Sequence, residues 1–514
     1  MRLRGASLPD LLDLRAAEPF GDWTAVRVFG LSTDSRRVHP GDLFFGLPGG
    51  SREGARYALD ALRRGAAAFV LPLGAAVPPR SCGIRHPDPF QALACAARRF
   101  YQDPGAQLEV VGVTGTNGKT TTALLTERLL SAGGKPQSLW STTLVRLPSA
   151  AFRPQWTTPP AHELQRFLRA AADQGTQGVV MEVSSHGVVQ QRIAGVHFAV
   201  GIATNFSPDH LDFHGTVEAY FDAKRAFIQG LGAGAAAILN ADDPRVLAMG
   251  EGAEAEVFTY GEAPSADVRL SAVRPGDGVL EGALSLRGGR LGPEGDYPFR
   301  LPMAGRHNAY NAAAAFAAAV RLGVPAALAA QEIKTFEPPP RRLEREAVGP
   351  YVIYNDVAMN EASYDAVLGT LAEDVPGGLV VVHALRGNRG TLVNARIAEI
   401  FARWDRRLRF APLIVSESRS DLGEDAVDRA VRPAERDAFV AAAARGGLRI
   451  SLHVELDAAI EEAALRLSPG GTLLLLGTFG MDRGPAKARA VLRRRLGLAA
   501  KEERDYLVPE DDAF

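Results

Sequence analysis

The sequence predicts an α/β protein with parallel sheets in three domains, and three observations predict it. Short apolar strands alternate with amphipathic helices through residues 108–323. A second alternating series begins near residue 351, beyond a proline cluster at 336–342 (FEPPPRR). The chain is 514 residues long, more than one hydrophobic core usually serves. Alternation of this kind buries strands under helices on both faces, the habit of parallel sheets. The boundaries are expected at 1–106, 107–339 and 340–514.

The first hundred residues are β-rich with helical patches, clearest at 55–65. Residues 108–115 (LEVVGVTG) read as a strand entering a glycine turn, with a helix starting near Lys119. Residues 178–185 (GVVMEVSS), 198–206 (FAVGIATNF) and 234–243 (GAAAILNADD) read as buried parallel strands. Residues 216–231 and 308–323 read as helices. Beyond the prolines, YVIYND, GLVVVHAL, APLIVSES, RISLHVE and TLLLLG read as strands of a Rossmann-like domain without a GxGxxG fingerprint. The terminal KEERDYLVPEDDAF is charged and reads as a loose tail.

Composition sets bounds on function. Lys and Arg total 58 against 59 Asp and Glu, a net charge of −1. Nucleic-acid binders ordinarily show a basic face, so no nucleic-acid partner is expected. Cys82 and Cys95 lack CxxC spacing and neighbouring histidines, and read as small core residues. The N-terminus has no sustained apolar run of the signal-peptide kind, and Leu473 to Leu476 is too short to span a bilayer. A cytoplasmic monomer without membrane insertion is expected.

The glycine turn carries the chemistry. Gly115-Thr116-Asn117-Gly118-Lys119-Thr120-Thr121 lies between a strand and a helix, where backbone N–H groups and the helix start can hold phosphate. Lys119 suits the β- and γ-phosphates and the Thr120 hydroxyl suits Mg²⁺. Val113 stands where the strict P-loop has glycine, so the match is to the shorter GTxGKT form. ATP and Mg²⁺ are the expected cofactors.

GTNGKTTT, MEVSSHG (181–187), TNFSPDHLDFHG (204–215), AYFDAKRAF (219–227), LNADDP (239–244) and GRHNAYNAAAA (305–315) occur in the order found in Mur ligases. The chain resembles that family, nearest the type that makes UDP-N-acetylmuramoyl-tripeptide. STDSRRVHPGDLFFGLPG (32–49) resembles its UDP-binding domain. The resemblance implies a three-domain architecture: a UDP-binding domain, a central P-loop ATPase domain and a C-terminal Rossmann-like domain. It implies an ADP-forming ligase working through an acyl phosphate, with a UDP-MurNAc-dipeptide and an amino acid as substrates.

The resemblance assigns residues too. Lys119, Glu182, His210 and Lys224 become catalytic, with Thr120, Glu182 and His210 holding metal. His210 alone would read as a loop histidine. Lys224 alone would read as solvated; the resemblance makes it N6-carboxylysine, turning a cation of reference pKa about 10.4 into an anion. Thr157, Thr158, Ser184, Gln190 and Arg192 would grip the UDP-MurNAc-dipeptide, with Ser35 and Arg36 on its uridine diphosphate. Asn308, Arg342 and Asp356 join the turn in binding ATP.

The last third departs from the pattern. NDVAMNEASYDAV (355–367) stands for DYAHTPDAL, placing Met359 where the family has histidine. RGNRG (386–390) replaces GGDRD, with Asn388 and Arg389 as nucleotide contacts, and GTFGMD (477–482) replaces GKGHE. VSESRSD (415–421) replaces the DNPR motif of diaminopimelate-adding enzymes. Lysine or ornithine is therefore expected in preference to diaminopimelate, with Glu417 or Asp421 meeting the distal ammonium. The alternatives are a Mur-like amide ligase acting on another carboxylate, or a nucleotide-binding protein without ligase activity. Two cysteines cannot supply the four-cysteine zinc module of isoglutaminyl relatives.

Overall fold

The computed structural model describes residues 5–49, 53–375, 378–410, 412–422 and 429–499. The charged stretch 501–514 lies outside them. Packing divides the chain into two compact units, one holding described residues of 5–115 and 130–258, the other 116–129 and 259–499.

Among its described residues the first unit contains two larger sheets and a short antiparallel pair, Ala6–Ser7 with Arg27–Val28. The N-terminal sheet orders its strands Glu18–Phe20, Gly83–His86, Ala68–Pro72, Asp42–Phe45 and Gly30–Ser32, all parallel except Glu18–Phe20 at the edge. The expected helix at 55–65 is a 3₁₀ turn, Gly54–Tyr57, running into a short α-helix, Ala58–Arg63. The helix Pro89–Phe100 closes the core beneath this sheet, capped by the Asp88 carboxylate, which accepts from Gln91 N–H.

In the second sheet Gln137–Trp140, Gly178–Glu182, Glu109–Thr114, Phe198–Ala203 and Ala236–Asn240 run parallel in that order, and two short antiparallel strands extend it beside Gln137–Trp140. Val, Met and Ile fill these strands because both faces are covered, so nothing alternates. Two glycines sit side by side in register, Gly112 and Gly201. A Cβ on Gly112 would lie 2.6 Å from the Phe227 ring, and one on Gly201 2.6 Å from Leu231. Their absence lets the helix Val217–Gln229, capped by Thr216, press onto the sheet, which buries Lys224. The expected strand at 178–185 stops at Glu182; Ser184 caps a short helix, Ser185–Val189.

The second unit begins with the first turns of the helix Lys119–Ala132. It contains the antiparallel strands Val268–Gly276, Val279–Leu286 and Gly295–Leu301, none singled out from the sequence, and the alanine-rich helix Arg306–Arg321. Its six-stranded sheet has the order Glu344–Val348, Tyr351–Asp356, Thr472–Leu476, Leu379–Ala384, Leu413–Ser416, Ile450–His453. All but the first are parallel, as expected from the second alternating series. Cys82 and Cys95 form no disulfide and are half-buried, Cys82 packing against the core of the N-terminal sheet.

Candidate functional site

In the first unit, the carboxyl ends of four neighbouring parallel strands converge on Gly115, the first residue of the phosphate turn. Carboxyl ends are where open parallel sheets bind ligands. Glu182 closes its strand opposite Val113 in register. Thr204, following the strand Phe198–Ala203, donates its hydroxyl to Thr114 O at 3.2 Å, and Asn240 donates to Thr204 O at 2.9 Å. Gly115 has φ +136°, and a Cβ there would stand 1.9 Å from Thr204 Oγ1, so the turn requires glycine.

Lys224 is 1% exposed, which excludes the solvated alternative. Its Nζ donates to Gly115 O at 2.7 Å and lies 4.6 Å from the Tyr220 ring centroid. Near His210 stand two rings not singled out from the sequence, His186 and His214. His210, held at φ +52°, packs edge-on to His186 at 4.9 Å, and His186 lies 5.5 Å from His214. His214 Nε2 hydrogen-bonds Ser185 Oγ at 2.9 Å. Burial, helped by His210 and His214, pulls His186 down to about 4. His186 and His214 lie inside the MEVSSHG and DHLDFHG motifs, which was the available signal.

Glu182 is buried and its carboxylate is held by Thr142, whose N–H donates to Oε1 at 2.6 Å and whose hydroxyl donates to Oε2 at 3.0 Å. With its proton on Glu182, the Thr142 hydroxyl is left to accept from Thr157 Oγ1, 3.1 Å away. Thr158 donates to Glu182 O at 2.9 Å and accepts from Ser184 N–H at 2.9 Å. Arg192 donates to Thr158 O at 2.6 Å and to Gln190 Oε1 at 2.9 Å, and its guanidinium lies 4.8 Å from the Trp156 ring centroid. Burial lowers its pKa to about 10. Glu182, Thr157, Thr158, Ser184, Gln190 and Arg192 are therefore one network. Thr142 is its missed member, although it too follows a strand, Gln137–Trp140. Ser35 is buried at the start of the 3₁₀ turn Ser35–Arg37, and Arg36 is ion-paired with Asp34 at 2.7 Å.

In the second unit, Lys119 Nζ donates to Thr116 O at 2.9 Å, curling the turn around its own backbone. Gly118, at φ +86°, faces Asn311, whose Oδ1 would lie 2.4 Å from an added Cβ. Asn311 accepts from Thr122 Oγ1 at 3.2 Å and donates to Asn308 Oδ1 at 3.0 Å, while Asn308 donates to Ala304 O. The i, i+3 spacing of Asn308 and Asn311 on one helix was the overlooked sign. Asn117 and Asn360 form a reciprocal amide pair, each Nδ2 3.1 Å from the other's Oδ1. Arg342 donates to Thr120 Oγ1 at 3.3 Å. Asp356 accepts from Leu343 N–H and Ala358 N–H, both at 2.7 Å, so it fixes the backbone that carries Arg342. Burial raises its pKa and Arg342 opposes that rise.

Mg²⁺ takes oxygen donors and keeps several waters. Among the described residues no group of three or more His, Cys, Asp or Glu side chains is arranged to hold a metal. The anchored Glu182 carboxylate in the first unit, and the Thr120 hydroxyl in the second, are each oxygen donors of the kind such a cation takes. A carbamate on Lys224 would keep one N–H on the nitrogen that bonds Gly115 O. Among the described residues no helix is long and apolar enough to cross a membrane.

Glu417 and Asp421, expected near a distal ammonium, are already neutralised. Glu417 pairs with Arg419 at 2.7 Å and Arg436 at 3.5 Å, and Asp421 with Lys487 at 3.0 Å.

The pattern of the Mur ligase middle domain matches residues 113–319. A relative from Geobacter metallireducens, named UDP-N-acetylmuramoyl-L-alanyl-D-glutamate–2,6-diaminopimelate ligase, is 35% identical over 82% of this chain and 81% of its own length. Others at 34–36% identity, spanning 75–88% of the chain, bear the same name. These names overturn the expectation of lysine or ornithine. That expectation rested on one missing motif, and the two acids then expected to meet the ammonium are already paired. A solved structure of a ligase with the same name superposes with a TM-score of 0.66 at 23% identity, over 96% of this chain and 99% of that one. The MurF ligase of Thermotoga maritima in complex with ADP superposes with a TM-score of 0.62 at 19% identity, over 90% and 98%. The fold is the three-domain Mur ligase architecture. Sharing that architecture, and matching such relatives at 34–36% identity over three quarters or more of its length, the chain belongs to the Mur ligase family.

Proposed function

We propose that this protein joins an amino acid to UDP-MurNAc-L-Ala-D-Glu in the cytoplasm, acting as a monomer in peptidoglycan precursor synthesis and converting ATP to ADP. The relatives' names point to diaminopimelate as that amino acid. The carrying observation is the buried Lys224, hydrogen-bonded to the first residue of the phosphate turn. A surface lysine would have no reason to be there.

In this reading the domains divide at 106/107 and 339/340. Residues Gly115 to Thr121, with Asn308 and Arg342, hold ATP, and Asp356 positions Arg342. Ser35 and Arg36 contact the uridine diphosphate, and the network of Thr157, Thr158, Ser184, Gln190 and Arg192 orients the dipeptide. Its terminal carboxylate attacks the γ-phosphorus, breaking the bond to ADP and forming an acyl phosphate. The amino group then attacks the acyl carbon, loses a proton and expels phosphate. Lys119 and Arg342 offset charge developing on the phosphoryl oxygens, so positioning and electrostatics suffice without a protein nucleophile. Thr120, Glu182 and His210 would hold Mg²⁺, which supplies further charge neutralisation when bound, and carbamylated Lys224 would bring a negative charge to the same chemistry.

The test is phosphate release from ATP with UDP-MurNAc-L-Ala-D-Glu and a panel of amino acids. Release that needs both the dipeptide and diaminopimelate supports the reading. Release with an unrelated carboxylate instead, or none with any pair, overturns it.

A further inference from the structure

The turn that follows the short helix Ser185–Val189 carries Gln190 and Arg192, two residues of the network around Thr158, and between them stands Gln191 with a different partner. Arg192 N–H donates to Gly187 O at 2.8 Å and Gln191 N–H donates to Val188 O at 3.0 Å. That pair of bonds is the Schellman closure of a helix, whose left-handed position ordinarily falls to glycine. Here Gln191 takes it, at φ +51°. A residue with a side chain is strained there and persists where surrounding contacts hold it.

The contact that holds Gln191 comes from the N-terminal sheet. Gln191 Nε2 donates to Asp88 Oδ2 at 2.5 Å. Asp88 is itself fixed at both ends. Its N–H donates at 3.0 Å to Nδ1 of His86, the buried last residue of the strand Gly83–His86. Its Oδ1 accepts from Gln91 N–H at 3.0 Å as the cap of the helix Pro89–Phe100. The same helix meets the chain again at Gly195, where a Cβ would stand 2.9 Å from Arg98 Cδ, and Ala194 packs against the core beneath the sheet.

The turn thus divides its side chains. Gln191 reaches Asp88, while Arg192 donates to Gln190 Oε1 at 2.9 Å and to Thr158 O at 2.6 Å. Both of those acceptors are uncharged, so the direction of the guanidinium depends on the backbone that Gln191 holds.

We infer that Asp88 is a positioning residue: through Gln191 it holds the turn 190–192 and so aims Gln190 and Arg192 at the UDP-MurNAc-dipeptide. This rests on the ligase reading above. It adds that the N-terminal sheet, whose side of the molecule carries Ser35 and Arg36, also sets the geometry of the grip on the dipeptide. Neither Asp88 nor Gln191 needs to touch the substrate.

The experiment measures phosphate release by the full chain with UDP-MurNAc-L-Ala-D-Glu and diaminopimelate. Gln191→Gly is the decisive variant, because glycine accepts φ +51° without strain and the link is lost while the turn is spared. Its KM for the dipeptide should rise about tenfold, the weight of one hydrogen bond to a charged group, with KM for ATP within about twofold of wild type. Asp88→Ala should show the same rise and a lower melting temperature, since the helix cap goes too. Asp88→Asn keeps an oxygen for the cap and an amide that can pair with Gln191, so it should recover most of the dipeptide KM. A purely structural role would lower kcat and melting temperature together and leave that KM in place. A wild-type dipeptide KM in Gln191→Gly, or no recovery in Asp88→Asn relative to Asp88→Ala, overturns the inference. If wild type releases no phosphate with any amino acid, the ligase reading fails by itself. Calorimetric binding of UDP-MurNAc-L-Ala-D-Glu to wild type and to Gln191→Gly then decides the role of the link: tighter binding to wild type supports it, and equal or absent binding removes it.

Discussion

Lys224 shows what a single residue decides. An amine buried against a carbonyl and a tyrosine ring has lost its water, and the helix that carries it is pressed home by two missing Cβ atoms. Lys224→Ala should abolish phosphate release while leaving the melting temperature near that of wild type. Added short carboxylates should restore part of the activity if a carbamate is the working form; no restoration across a concentration series would remove the carbamate. Lys119→Ala should lower turnover by about 10²–10³-fold, the usual loss on deleting one preorganised charge-stabilising donor. Glu182→Gln should also lose turnover, because the amide keeps at most part of the Thr142 bonding and none of the charge. Wild-type rates in either variant would contradict their roles.

At the level of elements, the phosphate turn fixes its own sequence. Gly118 combines φ +86° with an Asn311 oxygen at 2.4 Å from any Cβ, so Gly118→Ala meets both strain and a clash. It should weaken ATP binding, read as a raised KM, and lower the melting temperature by a few degrees, at about 1–3 kcal/mol for a strained backbone position. An unaltered KM would show that the turn is reshaped when nucleotide binds. The parallel strands were legible because burial on both faces leaves uninterrupted apolar runs. The hairpins at 268–301 were not, since arginines, glycines and two prolines break their alternation. The site divides in the same way. Residues inside contiguous motifs, such as Lys119, Glu182 and His210, could be named from sequence. Thr142 and Asn311 join their sites only through strand order and helix packing, which no local string of residues encodes. Glu417 misled because an acid in sequence says nothing about the arginines that fold against it.

For the molecule as a whole, buried histidines set how acid acts on stability. Burial holds His383 at about 3, against an ordinary value near 6.5, among the rings of Tyr364, Phe401 and Phe439. His162 is lowered to about 3 as well, by burial first and then by Arg166 and Arg37. Each is neutral when folded and takes a proton when unfolded below pH 6.5, so its contribution is complete above that pH and is lost as pH falls toward 3. The slope is about 1.4 kcal/mol per pH unit for each such histidine. Asp356, raised by burial, acts in the opposite sense, so a variant must isolate the effect. His383→Phe should flatten the fall in urea-unfolding stability between pH 6.5 and 4.5, and an unchanged slope would assign the acid sensitivity elsewhere. The Asn117–Asn360 pair ties positions 243 apart in sequence, one in the phosphate turn and one capping the helix Glu361–Asp374. A nucleotide that recruits the Asn117 amide leaves that cap with one contact fewer, so amide-hydrogen exchange at the start of a distant helix becomes a gauge of whether the turn is occupied.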